Sequence, residues 1–178
     1  MKFLQHVATV IIIVGGLFLI IPLFLPATFK VYRTLQINVA PNVVYSKVLD
    51  FNARQQWDPW LEKDPDADVK VRTTPDNIGS VIRWNGEKIG TGEITLKEKV
   101  DNRALFMDVE FTSPYAATVK SYWTFEPADK GTKVTWRVDG PLSYPLGRYH
   151  GLLIDRTLGS ACEQGLKRLR AACYGSAE

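Results

Sequence analysis

The chain has little of what reactive sites are commonly built from. Its 178 residues include two histidines, two cysteines and two methionines. His6 sits at the edge of a long apolar run and His150 far along the chain, so histidine spacing offers no metal site, and no C-x-x-C pair occurs. A metal is therefore not expected. Nor is a cofactor: Gly90 and Gly92 of "GTGE" fall between expected strands rather than ahead of a helix, which makes them turn or bulge glycines and not a dinucleotide loop. Charge of one sign is also scarce. The 22 basic and 19 acidic residues leave a net +3, and no run of Lys and Arg could follow a phosphate backbone, so nucleic acid is not an expected partner.

The two thiols, Cys162 and Cys173, fall in one helical stretch, where roughly 1.5 Å of rise per residue puts them about 16 Å apart, too far for a disulfide. Unpaired thiols fit a reducing compartment, although buried cysteine also serves as a small apolar residue.

What the chain does have is apolar mass. With 46% hydrophobic residues it can supply one membrane segment and one domain with a core. From Val7 to Pro26, "VATVIIIVGGLFLIIPLFLP" runs twenty residues without a charge, about 30 Å as a helix, which matches the hydrocarbon core of a bilayer. A cleaved signal has an apolar part of about 7–15 residues and a small-x-small site. Here the run is longer, and "LPAT" puts Leu25 where a small residue is wanted. Residues 1–27 are therefore expected to be an uncleaved single-pass anchor and residues 28–178 the body. Lys2 and the amino terminus on one side nearly balance Lys30 and Arg33 on the other. The orientation adopted has the amino terminus inside, with the body outside the cytoplasm.

In the body, Val31, Leu35, Ile37 and Val39 alternate with polar residues, as in a half-buried strand over Val31–Ala40. Pro41 opens a short helix with Val44, Val48 and Phe51 at helical spacing, and "NARQQWDPW" carries a second short helix or turn. Six runs follow, at 69–72, 80–84, 92–100, 104–111, 119–125 and 133–138, separated by turn-favouring residues, and predict an antiparallel meander. Its apolar face carries Ile82, Trp84, Met107, Trp123 and Trp136. A long helix bearing Leu158, Cys162, Gly165, Leu169 and Ala172 on one stripe is expected to cover that face. Small residues facing a wide sheet leave room, to be filled by aromatic side chains or by a ligand.

This order of strand, two short helices, six strands and long helix is the helix-grip arrangement, an α+β fold in which a curved antiparallel sheet of about seven strands wraps a carboxyl-terminal helix. The segments "INVAPNVVYSKVLDFNARQQWDPW", "SVIRWNGEKIGTGEITLKEKVDNRALFMDVEFTSP", "YWTFEPADKGTKVTWRVDGPLSYP" and "DRTLGSACEQGLKRLR" resemble the bacterial polyketide cyclase/dehydrase-like branch of the START/Bet v 1-like (SRPBCC) superfamily, in particular members with an amino-terminal membrane helix. The resemblance covers roughly residues 31–172. It implies a bacterial inner-membrane protein with a cavity between sheet and helix that holds a hydrophobic small molecule such as a lipid, an isoprenoid or a polyketide. Some members of the superfamily catalyse ring closure or dehydration; others are carriers or protein-interaction domains, and fold alone does not transfer chemistry.

The candidate ligand-binding residues are Trp57, Trp60, Trp84, Met107, Trp123, Trp136, Cys162 and Gly165. Trp57 is expected to plug the end of the sheet–helix layer, with Trp60 at its mouth. No catalytic residue is assigned. Of the ionisable candidates, Asp108 and Glu110 point away from the apolar face by parity, and Asp58 is read as a turn or cap acceptor. Glu163 is read as a structural ion-pair partner of a basic residue, and His150 with Asp155 does not form a dyad at its spacing. The functional expectation is a membrane-tethered binding module, with a cyclase or dehydratase and a protein-interaction domain as alternatives. The oligomeric state is left open.

Overall fold

The computed structural model describes residues 2–175. Helix α1 spans Lys2–Ile20 and continues into a tight 3-10 turn at Ile21–Phe24. The segment Lys2–Phe24 is long and apolar enough to cross a membrane and is almost wholly exposed on the protein.

The strands are β1 (Thr28–Ile37), β2 (Asp68–Arg72), β3 (Val81–Gly86), β4 (Gly90–Val100), β5 (Ala104–Ser113), β6 (Ala117–Ala128) and β7 (Gly131–Pro141). They form one antiparallel sheet in the order β1-β7-β6-β5-β4-β3-β2, so the meander returns its last strand to the side of the first. Helix α2 (Pro41–Leu49) and 3-10 turns at Ala53–Gln56 and Leu61–Lys63 lie between β1 and β2, and the long helix α3 (Leu146–Tyr174) packs across the concave face. Register shifts in the β4–β5 ladder, at Thr91/Gly92 and Leu96/Glu98, supply the extra local bend that lets a broad sheet curl around one helix. This is the helix-grip fold.

Period-two alternation decides which side chains enter the core. On β6, Ser121, Trp123 and Phe125 are buried, and on β7 Thr132, Val134, Trp136 and Val138. Trp123 sits opposite Trp136 in the ladder, and their rings stack with centroids 4.3 Å apart. Met107 and Leu105 of β5 extend the same layer, and Cys162, Leu166 and Leu169 of α3 close it.

Several boundaries differ from expectation, those of β1 and α3 among them. Strand β1 begins at Thr28 and stops at Ile37, because its ladder partner β7 reaches Pro141, opposite Thr28, and begins at Gly131, opposite the chain's departure after Ile37. Helix α3 starts at Leu146, well ahead of Leu158, where the expected stripe begins. Gly147 and Gly151 are helical where the helix presses on the chain before it. A Cβ at Gly147 would stand 2.8 Å from Ser143 Oγ, and one at Gly151 2.5 Å from Leu142 Cδ1. Tertiary approach overrides the low helix propensity of glycine.

One ion-pair network locks α3 to the sheet. Arg33 of β1 donates from Nε to Glu163 Oε1 at 2.8 Å and from Nη1 to Asp155 Oδ1 at 2.9 Å. The hydrogen bonds to Asp155 and then to Glu163 hold the Arg33 guanidinium charged above its ordinary range, and Arg33 holds the Asp155 carboxyl below its own. Gly159 provides the close approach this requires, since a Cβ there would collide with the guanidinium.

Candidate functional site: an apolar cavity around a buried ion pair

Above the tryptophan layer, between the first half of α3 and the sheet, lies a cavity of about 390 Å³. Its walls are apolar: Ile82 and Trp84 on β3, Ile94 on β4, Val109 and Phe111 on β5, Val138 on β7. Helix α3 contributes Gly147, His150, Ile154 and Leu158, residues at steps of three and four that keep one helical face toward the sheet.

The polar groups are few. Arg54 and Asp58, on the turn after α2, are 2% and 4% exposed and line the cavity. Their spacing of four residues brings Arg54 Nε to 2.8 Å from Asp58 Oδ2. Asp58 Oδ1 accepts from the backbone N–H of Trp60 at 2.9 Å and of Leu61 at 3.4 Å, so the carboxylate both neutralises the guanidinium and closes the turn. The Arg54 guanidinium carbon lies 4.9 Å from the centroid of the Trp57 ring, and Nη1 lies 3.9 Å from the Met107 sulfur. Nη2 donates to no acceptor among the described residues. Ser121 Oγ accepts from Trp136 Nε1 at 3.0 Å. Desolvation of a full ion pair is tolerable here because every oxygen of the carboxylate is hydrogen-bonded and an aromatic face supports the cation.

The eight sequence candidates separate into two layers. Trp60, Trp84 and Trp136 line the cavity. Trp57, Met107, Trp123, Cys162 and Gly165 do not: they form the packed floor beneath it. Trp57 is fully buried and meets Trp123 and Trp136 edge-on at 5.6 and 6.3 Å, while Trp60 meets Trp136 edge-on at 5.6 Å and remains half-buried at the cavity edge. The room expected around Gly165 is occupied. A Cβ there would stand 2.7 Å from Trp136 Cζ3 and 3.0 Å from Pro59 Cδ, so the glycine is where the indole of Trp136 reaches the helix.

The ionisable candidates are also placed. Asp58 makes the turn hydrogen bonds expected of it, and Glu163 makes the expected ion pair with Arg33. Asp108 lies 3.6 Å from Lys97 Nζ on the outer face. His150 lines the cavity at its exposed end, while Asp155 turns away to Arg33. Sequence reasoning missed Arg54, Ser121, Phe29 and Leu142 among other wall residues; for Arg54 the available signal was its four-residue spacing from Asp58. Burial pushes the Cys162 thiol up to about 12 and the Cys173 thiol up to about 11, which keeps both protonated and unreactive. Among the described residues no three His, Cys, Asp or Glu side chains come together in a way that could hold a metal ion.

The cavity has a definite mouth. The exposed wall residues Ala117, Pro141, Ser143 and His150 gather at one end of the sheet, where β6 begins, β7 ends and α3 starts. The Arg54–Asp58 pair is set deep, in contact with the tryptophan floor.

The family described as polyketide cyclase / dehydrase and lipid transport matches residues 28–173. Among solved structures, a protein from Thermus thermophilus is 19% identical, with 84% of this chain and 100% of that chain covered at a TM-score of 0.60. The di-domain ARO/CYC StfQ from the steffimycin biosynthetic pathway is 13% identical, with 85% of this chain and 52% of that one covered at a TM-score of 0.64. Ara h 8.0201 is 11% identical, with 83% and 99% covered at a TM-score of 0.57. At these identities the likeness is one of fold. A comparison with curated proteins finds no match.

Proposed function

This chain belongs to the polyketide cyclase/dehydrase and lipid transport family, and within it we propose a membrane-tethered binding module for an amphipathic small molecule. The observation that carries this reading is the cavity itself: about 390 Å³ of mostly apolar wall with one buried ion pair at its inner end. That volume falls within the range of about 300–1,000 Å³ usual for small-molecule sites. Apolar walls reward a hydrocarbon or ring system, and the spare N–H groups of Arg54 reward a carbonyl, hydroxyl or carboxylate oxygen at the end that enters first. A ligand lacking such an acceptor would leave buried donors unsatisfied. Helix α1, with only Leu25–Ala27 between its 3-10 extension and β1, supports a tether that keeps the cavity near a bilayer.

A cyclase or dehydratase would use the same walls, since Asp58 and His150 both face them. Binding is preferred because Asp58 is held by Arg54 and two backbone N–H groups. His150 stands at the exposed end, away from the buried pair.

The test is to take the full chain into lipid nanodiscs directly from its host membrane, denature it, and identify released small molecules by mass spectrometry. Ala117→Trp, which puts an indole at the mouth, serves as the comparison. A compound carried by the native chain and depleted in the variant supports the reading. Identical lipid profiles for the two, together with no displacement of a fluorescent fatty-acid probe by fatty acids, isoprenoids or polyketides, would overturn it.

A further inference from the structure

We infer that the mouth of the cavity is a bilayer-docking surface, so that ligand passes between membrane and cavity without crossing bulk water. The inference rests on the proposed tether, and four features of the structure point the same way. First, the chain enters the sheet at the mouth. Thr28, the first residue of β1, pairs with Pro141 of the cavity wall, and Leu142 N, also of the wall, donates to Ala27 O at 2.8 Å.

Second, the end of the apolar helix is fastened to the first turns of α3, which form the mouth's helical lip. Tyr144 Oη donates to Leu19 O at 2.7 Å, Tyr149 Oη to Phe18 O at 2.9 Å, and Arg148 Nη1 to Pro22 O at 2.8 Å. The rings of Phe18 and Tyr149 stack at 5.3 Å. These donors satisfy carbonyls at the carboxyl end of the helix, and tyrosine and arginine suit the headgroup level where an apolar span ends.

Third, both lips carry exposed apolar side chains. Leu146, Leu152 and Leu153 are 60%, 64% and 60% exposed, at helical steps of three and four from Tyr149, so they share its anchor-facing side. Across the mouth, Tyr115 on the β5–β6 turn is 83% exposed. Fourth, neither lip carries an acidic residue: 113–118 is free of charge, and 141–154 holds Arg148 and His150 alone. A surface of leucine and tyrosine without carboxylates fits a bilayer interface better than it fits water.

The experiment uses the full chain in nanodiscs of phosphatidylcholine and phosphatidylglycerol, with single cysteines introduced at Tyr115, Leu153, Lys130 and Ile12 and labelled with an environment-sensitive fluorophore. The buried native thiols stay unlabelled, with the parent chain as background. Lipids bearing a nitroxide in the acyl chain then report contact with hydrocarbon. Expected is a blue-shifted emission and loss of most of the signal at 115, 153 and 12, with none at 130, on the opposite end of the sheet. Quenching at 12 without quenching at 115 and 153 would overturn the docking surface and leave the tether standing. Absence of quenching at 12 would overturn the tether, and the inference with it.

Discussion

Replacing Asp58 by Asn should destabilise the body far more than a surface substitution would. The change preserves shape and leaves an amide oxygen to accept from Trp60 N and Leu61 N. It removes the charge facing Arg54, whose side chain is 2% exposed and whose Nε lies 2.8 Å from the carboxylate. Breaking a buried pair by neutralising one partner costs about 3–5 kcal/mol, because the other charge stays desolvated and unpaired. For a domain of this size each kcal/mol moves Tm by about 2–4 °C, so the drop should fall at roughly 6–20 °C. Arg54→Met with Asp58→Asn removes both charges and refills the volume, and should recover all but about 1–2 kcal/mol of the loss. The assay is thermal unfolding of the full chain in nanodiscs, followed by the fluorescence of its five tryptophans. A loss under about 1 kcal/mol for Asp58→Asn alone, as for an exposed pair, would refute the claim that the pair is desolvated. Stability and binding should then separate: the double variant should be folded, yet hold an acceptor-bearing ligand less tightly than the parent.

Acidification should weaken the body below the ordinary aspartate range, near pH 4. Asp155 is held below its ordinary value by the hydrogen bond from Arg33, and Asp101 by Lys99 and then Tyr45. A carboxyl depressed in the folded state contributes stability above its unfolded value and loses it as pH falls through the folded one, so urea midpoints at pH 3 and 7 should differ, by less in Arg33→Met. Cys162 and Cys173, with thiols raised to about 12 and 11, should resist iodoacetamide at pH 8 until the chain is unfolded, when mass spectrometry should find both alkylated. Gly165→Ala should cost about 1–3 kcal/mol through overpacking against Trp136 and Pro59, read as a shift in denaturant midpoint.

The fold was readable because strands and helix each impose a period on the residues they bury, and alternation such as Val134, Trp136 and Val138 survives without knowledge of partners. Boundaries set by partners were less readable. Thr28–Lys30 are strand because β7 extends opposite them, and the first turns of α3 lie against Leu142 and Ser143 because Gly147 and Gly151 carry no side chain there. The site was half legible for a related reason. Parity puts Trp84, Trp123 and Trp136 on the inner face, but the way α3 lies across the sheet decides which are wall and which are floor. Gly165 signals close approach as well as space, and here Trp136 uses it. No sequence period singles out Arg54; Trp57 and Met107 pack against it, one three residues away and the other on β5.

The attachment of helix α1 to the body has a mechanical consequence. Force along helix α1 meets first the hydrogen bonds from Tyr144, Arg148 and Tyr149 and then Thr28, the end of a strand paired with β7 from Thr28 to Ile37 and bound through Arg33 to α3. Pulling along β1 loads those hydrogen bonds together in shear, where pulling across a hairpin would open them one after another. Under the proposed membrane tether, a pull on the helix is thus taken up along an edge strand that is paired over its whole length and ion-paired to α3.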